Sequence, residues 1–374
     1  MISVNPLLQM QNFHQPSRHP KQMVISIKAL SSSAKKTITA DGLRKKRILP
    51  IRRERNCSVG RTIDVIGDGW SFMIIRECFF GARRFEQFKD VLGLPRTTLT
   101  GRLRRLTRLG VLRQVAYSEK PLRHEYRLTR SGFDLYPVML AMMSFGDRWL
   151  SAGKPKPLHL LHTRCGKACQ AIVACSECKT EIHARRVTHH DGPGAGTSLV
   201  PDDRKSRRSA DPTALERRRP SSVSRTLQLI GDRWSFMIIR AGFFNIRRFD
   251  ELQISLGIAP NILTDRLGRL VADGIFERVL YQTAPGRYEY RFTEMGLELF
   301  GSMVSMLRWG DQWHSSGEPP LILTHLDCGK NFAPTVICDQ CKEPLIAAEM
   351  RYLMNYQDPA PENTIQARGG TLIS

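Results

Sequence analysis

The sequence predicts an α+β fold, mainly helical, built from two tandem copies of one module, each followed by a small Cys/His tail. The first observation behind this prediction is an internal repeat. The run RTIDVIGDGWSFMIIR at 61–76 recurs 164 residues later as RTLQLIGDRWSFMIIR, with twelve of sixteen positions identical. The second is that the same order of helical and strand-like segments follows both runs. The third is a set of His and Cys residues that recurs with unchanged spacing after each copy.

The length and composition fit a globular chain. Its 374 residues are enough for two or three domains, and 41% of them are hydrophobic. No run of 18 apolar residues occurs, and the N-terminus lacks the pattern of a secretory signal. We therefore expect an intracellular protein without a membrane partner.

The net charge of +22 indicates a polyanionic partner, and this charge is unevenly distributed. Lys and Arg outnumber Asp and Glu by 12 to 2 in residues 1–56 and by 23 to 11 in 57–187. In 221–352 the two classes are nearly equal, at 14 and 15. Basicity is thus a property of the N-terminal arm and copy one.

The apolar pattern of copy one predicts four helices. In the fourth, the leucines at 99, 103 and 106 fall at i, i+4 and i+7, which is typical of one face of an amphipathic helix, and Gly110 follows as a C-cap. Gly67 separates the first two helices. The predicted helices are 61–66, 70–80, 84–88 and 96–109.

Two segments rich in β-branched and aromatic residues, 111–117 and 123–128, predict a β-hairpin with a polar tip. A long helix then runs through Trp149, and copy two repeats each element through Trp313. Short helix, turn, longer helix and hairpin is the order of a winged helix-turn-helix. In that fold the second helix of the pair can enter a DNA major groove and the hairpin forms the wing.

The runs RTIDVIGDGWSFMIIRECFFGARRFEQF and EYRLTRSG, with a Trp near the end of the last helix, resemble the HxlR-type transcriptional regulators of bacteria. The resemblance covers Cys57–Trp149 and Ser221–Trp313. The family usually has Lys before the Trp of the first motif, where this chain has Gly69 and Arg233. Members resemble one another in pairing as homodimers through their first and last helices. The resemblance therefore implies an intramolecular pseudo-dimer that binds double-stranded DNA in the bacterial cytoplasm, at the nucleoid.

The candidate DNA-binding residues lie on the side of the fourth helix that faces away from its leucines, with flanking basic residues. Arginine can contact guanine edges with two hydrogen bonds, and threonine or arginine can hold phosphates. A solvated helix face remains the alternative, more so in copy two, whose electrostatic contribution should be weaker. The candidates are Arg83, Arg84, Arg96, Thr97, Thr100, Arg104, Arg105, Lys120 and Arg123 in copy one, and Arg247, Arg248, Asn261, Thr264, Arg266, Arg269 and Arg287 in copy two.

A second set of candidates follows the pattern His-x2-Cys-x9-Cys-x2-Cys after each module. Two short knuckles with two ligands each can surround one tetrahedral Zn²⁺, so we predict one structural zinc per tail. Reduced cysteines in a hydrophobic tail, or a disulfide, are the alternatives. The predicted ligands are His162, Cys165, Cys175 and Cys178, and then His325, Cys328, Cys338 and Cys341.

Cys57 stands among several arginines, which would favour its thiolate. Some members of the resembled family use a cysteine in this region to sense oxidants or electrophiles, so Cys57 is either a redox sensor or an inert cysteine. Copy two has Ser221 at this position. The sequence does not reveal whether a small-molecule effector exists. It offers no catalytic arrangement, so we expect a protein that is not an enzyme.

The leading hypothesis is a sequence-specific DNA-binding regulator in which copy one dominates affinity. One alternative is that copy two is a degenerate winged helix used for dimerisation or protein interaction, and another is a zinc-dependent nucleic-acid enzyme. The N-terminal arm, predicted to be disordered, could bind nucleic acid, target an organelle or be a dispensable extension. The predicted segments are an arm (1–52), copy one (53–153), tail one (154–187), a linker (188–220), copy two (221–317), tail two (318–352) and a disordered C-terminus (353–374).

Overall fold

The computed structural model describes residues 51–120, 122–153, 155–201, 220–230 and 232–355. Copy one follows the predicted order, although α1 begins three residues before the predicted start and the long closing helix is divided in two. Its elements are β1 (Ile51–Arg55), α1 (Ser58–Ile66), α2 (Gly69–Phe79), α3 (Phe85–Leu92), α4 (Arg96–Arg108), β2 (Leu112–Glu119), β3 (Leu122–Leu128), α5 (Arg130–Phe133) and α6 (Tyr136–Trp149).

Tail one is made of short strands, and it extends into the segment predicted as a linker. Strands β7 and β8 occupy the first part of 188–220, and β8 pairs with β1 at the start of copy one. The rest of that segment, from 202 to 219, lies outside the described residues, as does most of the predicted arm. The strands are β4 (Leu158–His162), β5 (Lys167–Cys169), β6 (Ala171–Cys175), β7 (Val187–Asp191) and β8 (Thr197–Pro201).

Copy two and tail two repeat these elements, and β14 runs two residues into the predicted disordered C-terminus. Copy two consists of α7 (Ser222–Ile230), α8 (Arg233–Phe243), α9 (Phe249–Leu256), α10 (Pro260–Ala272), β9 (Phe276–Gln282), β10 (Arg287–Phe292), α11 (Glu294–Glu298) and α12 (Phe300–His314). Tail two consists of β11 (Leu321–His325), β12 (Lys330–Phe332), β13 (Pro334–Cys338) and β14 (Met350–Met354).

The repeated sequence run forms the first two helices of each copy and much of its core. Asp68 caps α2 by accepting a hydrogen bond from the Ser71 backbone N–H at 3.0 Å, and Asp232 caps α8 in the same way. A side chain at Gly67 would place its Cβ 2.4 Å from the Ile63 carbonyl oxygen, so the sharp turn between α1 and α2 requires glycine. Folding requirements therefore explain why this run is so similar in the two copies.

The two copies pack against each other through their first and last helices. α1 lies against α12, and α7 lies against α6. The Thr62 hydroxyl donates a hydrogen bond to the Met306 carbonyl at 2.8 Å, and the Thr226 hydroxyl donates to the Met142 carbonyl at 2.7 Å. These paired contacts relate equivalent residues of the two copies, as a pseudo-twofold arrangement does.

Glycine makes the close approach of these helices possible. A Cβ atom on Gly146 would lie 2.2 Å from the Ser222 carbonyl oxygen, and one on Gly310 would lie 2.2 Å from that of Ser58. Real side chains do not tolerate such a separation, so both helix crossings depend on the absence of a side chain.

The tails exchange strands instead of folding separately. β4 of tail one pairs with β14 of tail two, and β11 of tail two pairs with β7 of tail one, in equivalent antiparallel registers. The central strands β6 and β13 pair with each other. The backbone hydrogen bonds of each tail are thus completed by the other tail.

Asp311 is a partly buried carboxyl group where helices of the two copies pack, and its burial predicts that the stability of the fold depends on pH. Desolvation raises the pKa of Asp311 to about 6, and Asp311 Oδ1 has no hydrogen-bond partner. Because an unfolded aspartate has a pKa of about 3.9, ionisation in the folded state costs stability as the pH rises from about 4 to about 6. We expect Asp311→Asn to raise the free energy of unfolding by about 1 kcal/mol at pH 7.5, after allowance for partial exposure, and to have little effect at pH 4. Urea unfolding at both pH values measures the difference, and an equal effect at both would contradict it.

Candidate nucleic-acid interface and metal centres

Helix α4 presents a polar face to solvent and an apolar face to the core. Leu99, Leu103 and Leu106 are fully buried. On the other side Thr100 and Arg104 are exposed, and so are further predicted contacts at the start of the helix, namely Arg96 and Thr97. The exposed face thus has the chemistry that a major groove accepts.

Two predicted DNA contacts are partly buried and engaged within the protein, whereas Arg96 stays exposed although it pairs with Glu86 at 2.6 Å. The Arg105 guanidinium donates to the carbonyl oxygens of Val65, at 2.7 Å, and Asp64. In copy two, Arg266 Nε lies 2.6 Å from an Asp232 carboxylate oxygen, and its side chain is 16% exposed. The structure therefore differs from the prediction at these positions, because both guanidinium groups fix the helix to the rest of its domain.

The Arg266 contact has a counterpart in copy one. Arg102 Nε lies 3.0 Å from Asp68 Oδ1, and this aspartate also caps α2. One carboxylate in each copy therefore holds the N-terminus of the second helix and an arginine of the fourth helix of that copy. Because the ion pair is partly buried, it orients α4 and α10 more firmly than an exposed pair would.

In both copies an arginine at the start of the third helix stacks on a tyrosine of the wing, a contact that the sequence reasoning did not identify. The Arg84 guanidinium lies over the Tyr117 ring at 4.6 Å, and that of Arg248 lies over the Tyr281 ring at 4.8 Å. The recurrence of the tyrosine in both hairpins was the available signal. Stacking places a cation beside the wing, where other predicted contacts are also exposed: Arg83, Lys120 and Arg123 in copy one, and Arg247 and Arg287 in copy two.

Helix α10 has a similar exposed face with less positive charge. Asn261, Thr264 and Arg269 are exposed, whereas the position equivalent to Arg104 is Gly268. Asp265 lies 3.8 Å from Arg269, so part of the remaining charge is offset. Of the two helices, α4 has the face better suited to a polyanion.

The predicted metal ligands form two clusters, and each cluster combines the two tails. The first contains His162 and Cys165 with Cys338 and Cys341. The second contains Cys175 and Cys178 with His325 and Cys328. In both, the four possible ligand atoms lie within 4.8 Å of one another. The prediction of one site per tail is corrected here: strand exchange brings the His-Cys knuckle of each tail to the Cys-Cys knuckle of the other.

The spacing of the ligand atoms matches a tetrahedral zinc site. Metal bonds of about 2.3 Å to sulfur and 2.0 Å to nitrogen give sulfur–sulfur edges of about 3.8 Å and sulfur–nitrogen edges of about 3.5 Å. The Cys165–Cys338 and Cys175–Cys328 sulfur pairs are 4.0 and 3.9 Å apart. The distances from Nδ1 of His162 and His325 to the neighbouring sulfurs range from 3.3 to 3.7 Å.

Both histidines are fully buried and have a carboxylate behind the ring. Nδ1 faces the cysteines, while Nε2 of His162 lies 3.5 Å from Glu349 and Nε2 of His325 lies 3.2 Å from Asp327. A carboxylate behind a metal-binding imidazole fixes the tautomer that leaves the other nitrogen free to bind. The residues therefore fit zinc in the type of their donor atoms, in the distances between these atoms and in the carboxylates behind the histidine rings.

Each Cys-Cys knuckle contains one acidified thiol. Burial opposes ionisation of Cys178, but hydrogen bonds from the backbone and side chain of Thr180 outweigh it and lower its pKa to about 6. Burial also opposes ionisation of Cys338, and backbone hydrogen bonds from Cys341 and Gln340 lower its pKa to about 7. The local backbone thus favours the thiolate, which is the metal-binding form.

Comparison with known proteins gives the family. The model of the HxlR-like helix-turn-helix family matches residues 65–154 and 229–318. A Mycobacterium tuberculosis protein described as an uncharacterized HTH-type transcriptional regulator is 45% identical over 143 residues, which is 38% of this chain and 90% of the relative. The chain belongs to the HxlR-like helix-turn-helix family. The HxlR resemblance and the presence of two tandem copies, both predicted from sequence, are confirmed.

Further matches come from other bacteria. An HTH-type regulator of Synechocystis is 40% identical over 95 residues, which is 25% of this chain and 70% of the relative. One from Bacillus subtilis is 35% identical over 96 residues, or 25% of this chain and 73% of the relative. The clustered Cys and His residues follow the ranges matched by the HxlR family model. Of the helices described, none combines the length and apolar character needed to cross a membrane.

Proposed function

We propose that this HxlR-type chain is a sequence-specific DNA-binding transcriptional regulator. The observation that carries the proposal is the exposed face of α4, with Arg96, Thr97, Thr100 and Arg104 on the helix that a winged domain inserts into the major groove. Arg83 and the stacked Arg84 flank it and would hold phosphates. Such a regulator works at the nucleoid of a bacterial cell.

The proposal includes an intramolecular pseudo-dimer. Reciprocal packing of α1 on α12 and of α7 on α6 supports it, since each copy then supplies one reading helix on a common body. We propose that copy one dominates affinity, because Arg104 is replaced by Gly268 in copy two and the basic residues are concentrated in copy one.

A second candidate function assigns copy two to dimerisation or protein interaction alone. The near balance of charge in 221–352 and the presence of Gly268 at the position of Arg104 favour it. The two candidates differ in how many segments of DNA the chain protects.

Footprinting of the full chain on a DNA fragment selected by its own binding tests the main proposal. Two protected half-sites about one helical turn apart are expected if both helices read DNA. One protected half-site would support the second candidate. No retained fragment at low salt would contradict DNA binding altogether.

We further propose that each Cys/His cluster holds a structural Zn²⁺. Three thiolates and one imidazole fill a tetrahedral shell and leave no position for water, so the sites suit stabilisation and not hydrolysis. When bound, the metal would supply cross-links between the short strands of the two tails. Small tails of this size have little core of their own, and metal binding is a common way to stabilise them.

A further inference from the structure

Arg240 of α8 is a buried cation whose expected partner is missing. Its counterpart in copy one, Arg76, donates from Nε to the buried carboxylate of Glu77 at 2.8 Å. In copy two the position of Glu77 is occupied by Ala241. Arg240 is 9% exposed, and its Nε has no hydrogen-bond partner. Among the described residues, no carboxylate forms an ion pair with it.

An uncompensated buried charge is costly, and proteins normally avoid it unless a partner is supplied. The Arg240 guanidinium does lie over the Phe244 ring, 5.1 Å from its centroid. The same stacking exists in copy one, where Arg76 lies 5.6 Å from the Phe80 ring, in addition to the ion pair. Stacking therefore does not replace the missing carboxylate.

Arg240 lines a pocket with a cavity volume of about 100 Å³. Helix α1 of copy one, helices α8 and α12 of copy two, and strands β7 and β11 of the tails form its walls. Most of the lining is apolar, including Phe243, Val304, Leu307 and Leu323. A cavity of about 150 Å³ lined by aliphatic and aromatic groups can hold benzene, so a pocket of about 100 Å³ suits an apolar body smaller than benzene.

The other charged or titratable groups at the pocket add no free negative charge. Arg55 pairs with Asp191, and both its guanidinium and that of Arg240 lie near the Phe244 ring. Burial, and then the proximity of Arg55, lower the pKa of His189, so its imidazole is neutral at pH 7. The N-terminal turn of α1, capped by Cys57, opens on the same space, and a helix N-terminus favours an anion.

Among the described residues, the surroundings of Arg76 in copy one differ from those of Arg240. The aromatic ring of Tyr352 on β14 lies edge-on against Phe80, with 4.8 Å between centroids, and Arg76 is neutralised by Glu77. In copy two the residue at the place of Tyr352 is the smaller His189, which lies edge-on against Phe244 at 5.0 Å. Two substitutions between the copies, Glu to Ala and Tyr to His, thus combine at one location.

We infer that this pocket, which we call the Arg240 pocket, binds a small monocarboxylate with a short branched apolar body. The carboxylate would pair with the Arg240 guanidinium, and the apolar body would occupy the space between α1, α8 and α12. Because the walls come from both copies, such a ligand would bridge them. This inference stands on the pocket itself and does not depend on DNA binding.

Thermal unfolding of the full chain with three carboxylate probes tests the inference. Isobutyrate, isovalerate and pivalate at 10 mM are compared with their neutral amides. At least one carboxylate is expected to raise Tm by about 2 °C or more, while its amide has a smaller effect. No shift from any of the three, or equal shifts from acid and amide, would overturn the inference.

Two variants locate the binding. Arg240→Met removes the cation, and Ala241→Glu supplies the carboxylate that copy one has. Each is expected to abolish the ligand-induced Tm shift, whereas Arg278→Met, on the wing, is expected to retain it. Because Ala241→Glu keeps Arg240, it tests the site even if Arg240→Met folds poorly. A shift that persists in both pocket variants would place the ligand elsewhere and refute the assignment.

Discussion

Replacing Arg104 with Glu is expected to weaken DNA binding about 100-fold. The side chain is exposed on the reading face of α4, so the change reverses a charge that faces the polyanion without removing a contact within the domain. Fluorescence anisotropy on a DNA fragment selected by the wild-type chain measures the loss. The slope of log affinity against log salt concentration should also fall, because fewer counterions are released.

The repeat provides a matched control, because Gly268 occupies the same position on α10 and is also exposed. Gly268→Glu introduces the same side chain into copy two and is expected to weaken binding about tenfold or less. Equal losses from Arg104→Glu and Gly268→Glu would contradict the dominance of copy one. Circular dichroism should find both variants folded. Arg105→Glu is unsuitable for this comparison, since it would break contacts to the carbonyl oxygens of Asp64 and Val65.

Removal of metal is expected to lower Tm by about 10 °C or more, because both clusters fasten strands that have little core of their own. The full chain is purified with zinc, then unfolded thermally before and after treatment with EDTA. Restored zinc should restore Tm, and magnesium should not, since three thiolates per site select a softer ion. If EDTA removes the zinc and Tm does not change, the result would contradict a stabilising role for the metal.

Zinc stoichiometry distinguishes shared sites from one site per tail. Cys165→Ser with Cys338→Ser alters a single cluster if the sites are shared, so about one zinc per chain should remain. Cys165→Ser with Cys175→Ser alters both clusters, so none should remain, although both changes lie in the same tail. The opposite pattern would show that each tail binds its own metal. Plasma mass spectrometry of the purified variants provides the count.

The features that the sequence predicts well are those with a local cause. The leucine spacing of α4 reflects the side of the helix that is buried, and the glycine after it fits the turn that follows. The repeat predicts two equivalent domains because equal sequences meet equal packing requirements. The identities of all eight cluster residues could be read from a spacing of two short knuckles.

The features that sequence reasoning missed depend on contacts between distant segments. Nothing in the pattern around Cys165 indicates whether it shares a metal site with Cys175, ten residues away, or with Cys338, 173 residues away. Both pairings give three cysteines and one histidine. Arg105 and Arg104 are adjacent arginines that the sequence does not distinguish. Arg105 points inward because its guanidinium donates hydrogen bonds to carbonyl oxygens of α1. The missing ion-pair partner of Arg240 is recognised only when the surroundings of Arg240 are compared with those of Arg76, which pairs with Glu77.

Strand exchange between the tails also determines when they can be completed during synthesis. His162 and Cys165 leave the ribosome well before Cys338, which is 173 residues beyond Cys165. At roughly 5 to 20 residues per second, that interval lasts about 10 to 35 seconds. During it the nascent chain carries half-sites of both clusters, able to bind other metals or thiols, and a polypeptide that ends before residue 328 has neither cluster complete.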